Sequence, residues 1–199
     1  MLFDLNDIEK VSIKTSNKLE ASAHILPSGS EGDLVQVACK ASHLIENLFK
    51  EIKPGNFIEF CTAGEFSMHQ LLQYLLTISG PANVYLSTWT IKEEPARVLH
   101  ALKKSGKIKN LYCVLDYRIR TQDAKHFHFI ESILTGYVLT KCHAKVIAIE
   151  GVRANMAVVS SANMSNNPRI EAGYIACNSM SMNFHKDWIM KSINGKKIY

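Results

Sequence analysis

From Asn56 onward, short, mostly apolar runs alternate with stretches whose apolar positions recur every three or four residues, the marks of strands and one-sided helices respectively. Residues 56–61, 83–89 and 109–117 read as strands. Between the first two, Met68, Leu71, Leu72, Leu75 and Ile78 define a helical face that stops at Gly80-Pro81. Glu93, Glu94 and Pro95 open a second helix, with Val98, Leu99 and Leu102 inward and Lys103, Lys104 and Gly106 suited to its C-terminus. A short helix is predicted over 127–134, then strands over 137–149, 157–161 and 170–177, then a helix over 183–193 with Phe184, Trp188 and Ile189 inward. Such an order predicts an α/β layered sandwich whose mixed, mostly parallel central sheet is flanked by helices. Residues 1–32 are polar and end in the breaker-rich Pro27-Ser-Gly-Ser-Glu-Gly32, so they read as an arm or short hairpin before a single domain over 33–199. Asp33 and Gln36 suit a helix start, with Leu34, Val37, Ala38, Ala41, Ile45 and Leu48 at helical spacing up to Lys53-Pro54-Gly55.

Composition narrows the class. A chain of 199 residues that is 47% hydrophobic and 21% charged can bury a core without metals or disulfides. Its five cysteines, Cys39, Cys61, Cys113, Cys142 and Cys177, are odd in number and sit mostly in apolar runs, as expected of small buried hydrophobes in a reducing compartment. No signal peptide is evident at the N-terminus and no apolar run is long enough for a membrane span, which makes the cytoplasm the expected location. The net charge of +5 favours an anionic partner.

The chemistry gathers late in the chain. In Lys141-Cys-His-Ala-Lys-Val-Ile-Ala-Ile-Glu150 a strand would place His143 and Lys145 on one face and turn Glu150 to the other. Ser161 and Asn163 share the same spacing of two, and Glu171 follows. Across this ordered set the sequence resembles the phospholipase D-like superfamily, whose signature runs H-x-K-x4-D, then G-S-x-N, then an acidic residue. His143, Lys145, Ser161, Asn163 and Glu171 fit, while Glu150 replaces the usual Asp and Ser160 the usual Gly.

The resemblance implies a phosphodiesterase that works without a metal or other cofactor. His143 attacks phosphorus to give a phosphohistidine, and Lys145 and Asn163, with Ser161, hold the phosphate oxygens. Glu171 orients the imidazole, and Glu150 supports from outside the site, capping the turn at Gly151. A complete site of this family needs two histidines, and this chain holds one H-x-K. The resemblance therefore implies a homodimer with His143 of both subunits facing one another across a two-fold axis, or else an acid role for His126 or His128. Positive charge favours DNA or RNA as substrate over lipid, with Arg118, Arg120 and Lys125 placed to contact its backbone. Trp89, with Ser87 and Thr88, lies where it can border the substrate groove or pack in the core. The changed positions leave open a nucleic-acid-binding module without catalysis, and the motif leaves open transfer to an alcohol in place of water.

Overall fold

The computed structural model describes residues 23–26, 34–38, 52–166 and 168–196, the first two stretches as backbone. Among them nine strands form one sheet: β1 (Ala23–Leu26), β2 (Leu34–Ala38), β3 (Phe57–Thr62), β4 (Ala82–Thr88), β5 (Ile108–Asp116), β6 (Gly136–Thr140), β7 (Val146–Gly151), β8 (Asn155–Ser160) and β9 (Glu171–Ala176). Their order across the sheet is β1-β2-β3-β9-β8-β7-β4-β5-β6. The helices are α1 (Met68–Ser79), α2 (Glu93–Lys104), α3 (Ile119–Gln122), α4 (Ala124–Glu131) and α5 (Ser179–Ile193).

Alternation along the central strands sorts side chains into two layers. Val84 and Leu86 of β4, Leu111, Cys113 and Leu115 of β5 and Ile147 and Ile149 of β7 pack with Leu71, Leu72 and Leu75 of α1, Leu99 of α2 and Phe127 and Ile130 of α4. Tyr85, Val114 and Ala148 point the other way, against Met182 and Ile189 of α5. Local signals set the helix ends. Ser67 and Gln70 form a capping box before α1, with the Ser67 N–H donating to Gln70 Oε1 at 2.9 Å, and Gly80, at φ 72°, ends the helix in a conformation open to glycine. Glu93 and Glu94 at the start of α2, and Lys103 and Lys104 at its end, complement the helix dipole.

Several expectations are corrected. The sheet is mixed but not mostly parallel: only the ladders β2–β3, β4–β5 and β5–β6 are parallel, and the other five are antiparallel. The cause is that β3 and β4, consecutive in the chain, are separated in the sheet by β9, β8 and β7. Leu34–Ala38, predicted to open a helix, is a strand paired with both β1 and β3; the remainder of that predicted helix, up to residue 51, lies outside the described residues. The strand predicted over 137–149 is two strands, β6 and β7, joined by 141–145. In α5 the buried residues are Met182, His185 and Ile189, and Phe184 is exposed. Cys113, Cys142 and Cys177 are buried free thiols, Cys61 is exposed, and Cys39 lies outside the described residues.

Candidate active site

The split of the predicted strand follows from where its halves belong. β6 is an edge strand beside β5, whereas β7 pairs with the far side of β4. Residues 141–145 must therefore cross the ends of β5 and β4, three inter-strand steps or about 14 Å. The chain from Thr140 to Val146 reaches about 20 Å at full extension, enough for the crossing with moderate slack. Each strand end it passes holds it. The Tyr117 N–H donates to Thr140 O at 2.9 Å, the Cys142 N–H to the Asp116 carboxylate at 3.2 Å, the Ser87 hydroxyl to Ala144 O at 3.1 Å, and the Ser160 N–H to Lys145 O at 3.1 Å. With no strand beside it to pair with, the crossing segment is not itself β structure.

His143 and Lys145 ride on this crossing. His143 is exposed and Lys145 is buried, and the Lys145 ammonium lies 3.1 Å from each imidazole nitrogen and 2.8 Å from His143 O. An ammonium only donates, so a hydrogen bond to the ring requires a nitrogen lone pair there. Burial pulls Lys145 below the ordinary lysine range, opposed by the nearby Glu171 carboxylate and by Cys142. The Trp89 ring stands 6.1 Å from the imidazole.

Asn163 arrives from the other side of the sheet. It lies in the connection between β8 and β9, which is docked on the end of β4: Met164 N–H donates to Thr88 Oγ1 at 3.3 Å and Lys92 N–H to Met164 O at 3.0 Å. The Asn163 carbonyl oxygen accepts from the Trp89 backbone N–H at 3.3 Å and the Thr88 hydroxyl at 3.4 Å, which fixes the amide and leaves its NH2 without a partner among the described residues. Ser160, standing where the motif has Gly, accepts the Ala162 N–H at 3.0 Å and so shapes the turn that follows β8. The Ser161 hydroxyl donates to Glu171, and the Ala172 N–H donates to Ser161 Oγ at 3.1 Å, which ties the ends of β8 and β9 together.

His143, Lys145, Asn163, Ser161 and Glu171 thus gather at one end of the sheet, brought there by two connections and the first residue of β9. Within them Glu171 contacts the Ser161 hydroxyl and acts on the Lys145 charge, whereas the His143 ring meets Lys145 and Trp89. Glu150 is elsewhere. It sits at the far end of β7 on the α5 side, where it accepts from Asn83 Nδ2 at 3.1 Å and the Tyr85 hydroxyl at 2.9 Å, and pairs with Lys186 Nζ at 2.5 Å. Cross-strand and helix partners hold it there, in place of the expected cap on the turn at Gly151. On α4, His126 Nδ1 lies 3.8 Å from Asp123 and His128 Nδ1 lies 3.5 Å from Glu131. Asp116 escaped the sequence reading. Its signal is an acid at the end of an apolar strand with an arginine two residues on, but its role as anchor for the crossing depends on which strands lie beneath it.

The fold is thus α/β, a mixed sheet flanked by helices, with the candidate residues at one sheet end. Among solved structures the chain is similar to a polyphosphate kinase of Porphyromonas gingivalis, at a TM-score of 0.54 and 14% identity, over 78% of this chain and 28% of that one. Identity so low shows the fold alone, and the chain spans less than a third of that kinase's length. No protein-family model matches the sequence, and no curated protein matches it either. Among the described residues no helix is long and apolar enough to cross a membrane.

Proposed function

We propose that this protein is a metal-independent phosphodiesterase of the phospholipase D-like kind, acting on nucleic acid as a homodimer. The observation that supports this most is the meeting of an exposed imidazole, a buried ammonium and an oriented amide donor at one sheet end. In the proposed reaction a ring nitrogen of His143 attacks phosphorus in line with the departing oxygen. As the N–P bond forms the P–O bond breaks, and the leaving alkoxide takes a proton from the imidazolium of His143 of the second chain. Lys145 and the Asn163 amide stabilise the charge that builds on the non-bridging oxygens. Water then opens the phosphohistidine and restores the imidazole. Glu171 acts through Lys145 and Ser161.

Similarity to a polyphosphate kinase favours a second reading, in which an acceptor other than water takes the phosphoryl group. Both readings share the phosphohistidine. The test is turnover of bis(p-nitrophenyl) phosphate and nicking of plasmid DNA in excess EDTA, with acid-quenched protein assayed for phosphohistidine. Wild-type protein is expected to turn over and to trap the adduct, and His143→Ala to do neither. Equal turnover by both proteins, or complete loss in EDTA, overturns the proposal.

A further inference from the structure

Arg118, on none of the motif positions, shares an aromatic neighbour with the imidazole. Its Cζ lies 5.1 Å from the centre of the Trp89 ring, the same ring that stands 6.1 Å from His143, so guanidinium and imidazole border one indole. The Tyr117 ring flanks the guanidinium at 5.7 Å. Asp116 fixes the fork from behind: Nε donates to Oδ1 at 2.6 Å and Nη2 to Oδ2 at 3.1 Å. Asp116 is buried, and it is also the group that anchors Cys142 in the crossing segment. Two donor positions are therefore used. Nη1, with both its protons, has no partner among the described residues, and the side chain is 42% exposed. An arginine held rigidly by a buried acid has little freedom left to lose when it binds an anion.

We propose that Arg118 is a second phosphate site next to His143, and that the substrate is a single-stranded polynucleotide whose neighbouring phosphate it binds. This rests on the reading of His143 as the phosphodiester centre. A molecule with one phosphodiester, such as a phospholipid or a small diester, fills the His143 site and has nothing to offer Arg118; a polynucleotide carries another phosphate along its backbone. Strandedness follows from Tyr117. The residue is 50% exposed, and a platform of this kind takes the face of a base, which is hidden in a duplex and presented by a single strand.

The test pairs catalysis with binding. Turnover of a fluorescent single-stranded oligonucleotide and of bis(p-nitrophenyl) phosphate is measured for wild type and Arg118→Gln. The ratio of the two kcat/KM values is expected to fall by about tenfold or more in the variant. Binding of the same oligonucleotide, alone and annealed to its complement, is followed by anisotropy across a salt series, on wild type and Arg118→Gln. Affinity is expected to fall and the log–log salt slope to shrink by about 0.7 to 1, the signature of one lost phosphate contact in place of a structural defect. If loss of the Asp116 partner unfolds the variant, arginine modification of wild-type protein with phenylglyoxal replaces it: mass spectrometry is expected to show Arg118 protected by the oligonucleotide and not by inorganic phosphate. An unchanged ratio and slope, absence of protection, or equal affinity for duplex and single strand overturns the inference. Failure of the His143 reading shows separately, as absence of small-diester turnover by wild type, and the binding arms test Arg118 even then.

Discussion

Lys145 brings a cation into a place where water is largely excluded, and both its pH behaviour and its role follow from that. With its folded pKa below the unfolded value near 10.5, the native state gives up the proton first. Between the two values the unfolded chain holds more protons, so this group makes stability rise with pH over that alkaline window. In the proposed reaction activity runs the other way, because the phosphate would lose its cation as pH rises through the folded pKa. Lys145→Met is expected to lower kcat by about 10²- to 10³-fold and to remove the alkaline rise in stability, read by thermal melts at stepped pH. Glu150 provides the contrast. Its carboxylate is held by Asn83, Tyr85 and Lys186, and burial together with that carboxylate raises the Tyr85 hydroxyl far above its ordinary value. Glu150→Gln is expected to cost about 1–3 kcal/mol of stability in urea melts while the folded fraction keeps its turnover. A loss of turnover greater than the loss of folded protein would place Glu150 in the chemistry after all.

At the level of elements, legibility followed how local the deciding interaction is. The helices α1 and α2 were readable because caps, dipole charges and Gly80 lie within them. Leu34–Ala38 was not, since Leu34, Val37 and Ala38 satisfy a helical period over so short a stretch and pairing with β1 and β3 decides otherwise. The break between β6 and β7 carries no glycine or proline. It exists because the two halves pair with strands on opposite sides of β4 and β5. His143, Lys145, Ser161, Asn163 and Glu171 could be singled out from spacing, but the strand argument for a shared face did not apply, since His143, Lys145, Ser161 and Asn163 all lie beyond strand ends. Gly173 leaves no room for a side chain in β9: a Cβ there would meet Val159 O, Phe60 Cζ at 2.8 Å and Ser160 Cα at 2.9 Å. Two of these are backbone atoms of β8, which yield only if the strands separate. Gly173→Ala is expected to destabilise by about 1–3 kcal/mol or more and, because Ser160 leads into the turn carrying Asn163, to weaken phosphate binding as well. Denaturant melts and a phosphate titration by NMR read the two effects.

For the molecule as a whole, one H-x-K histidine per chain sets the arithmetic. If each reaction uses His143 from two chains, activity follows the square of the wild-type fraction when His143→Ala is mixed in by unfolding and refolding together. Independent subunits would instead give a linear decline. Light scattering at the same concentrations gives the oligomeric state that the quadratic outcome needs. The sheet makes such an arrangement geometrically simple, because the chemistry stands at one end of the strands, with His143 exposed rather than covered by a helix.

The segment joining β6 to β7 has a further consequence when viewed as a polymer. A chain fastened at several points along a short span retains few conformations, and the five residues that cross two strand ends are held at each. The ordering entropy of the histidine's backbone is therefore surrendered once, during folding, when the sheet closes. Little of it remains to be lost on binding a ligand, so the fastening at the strand ends sets how prepared the imidazole is for the proposed chemistry.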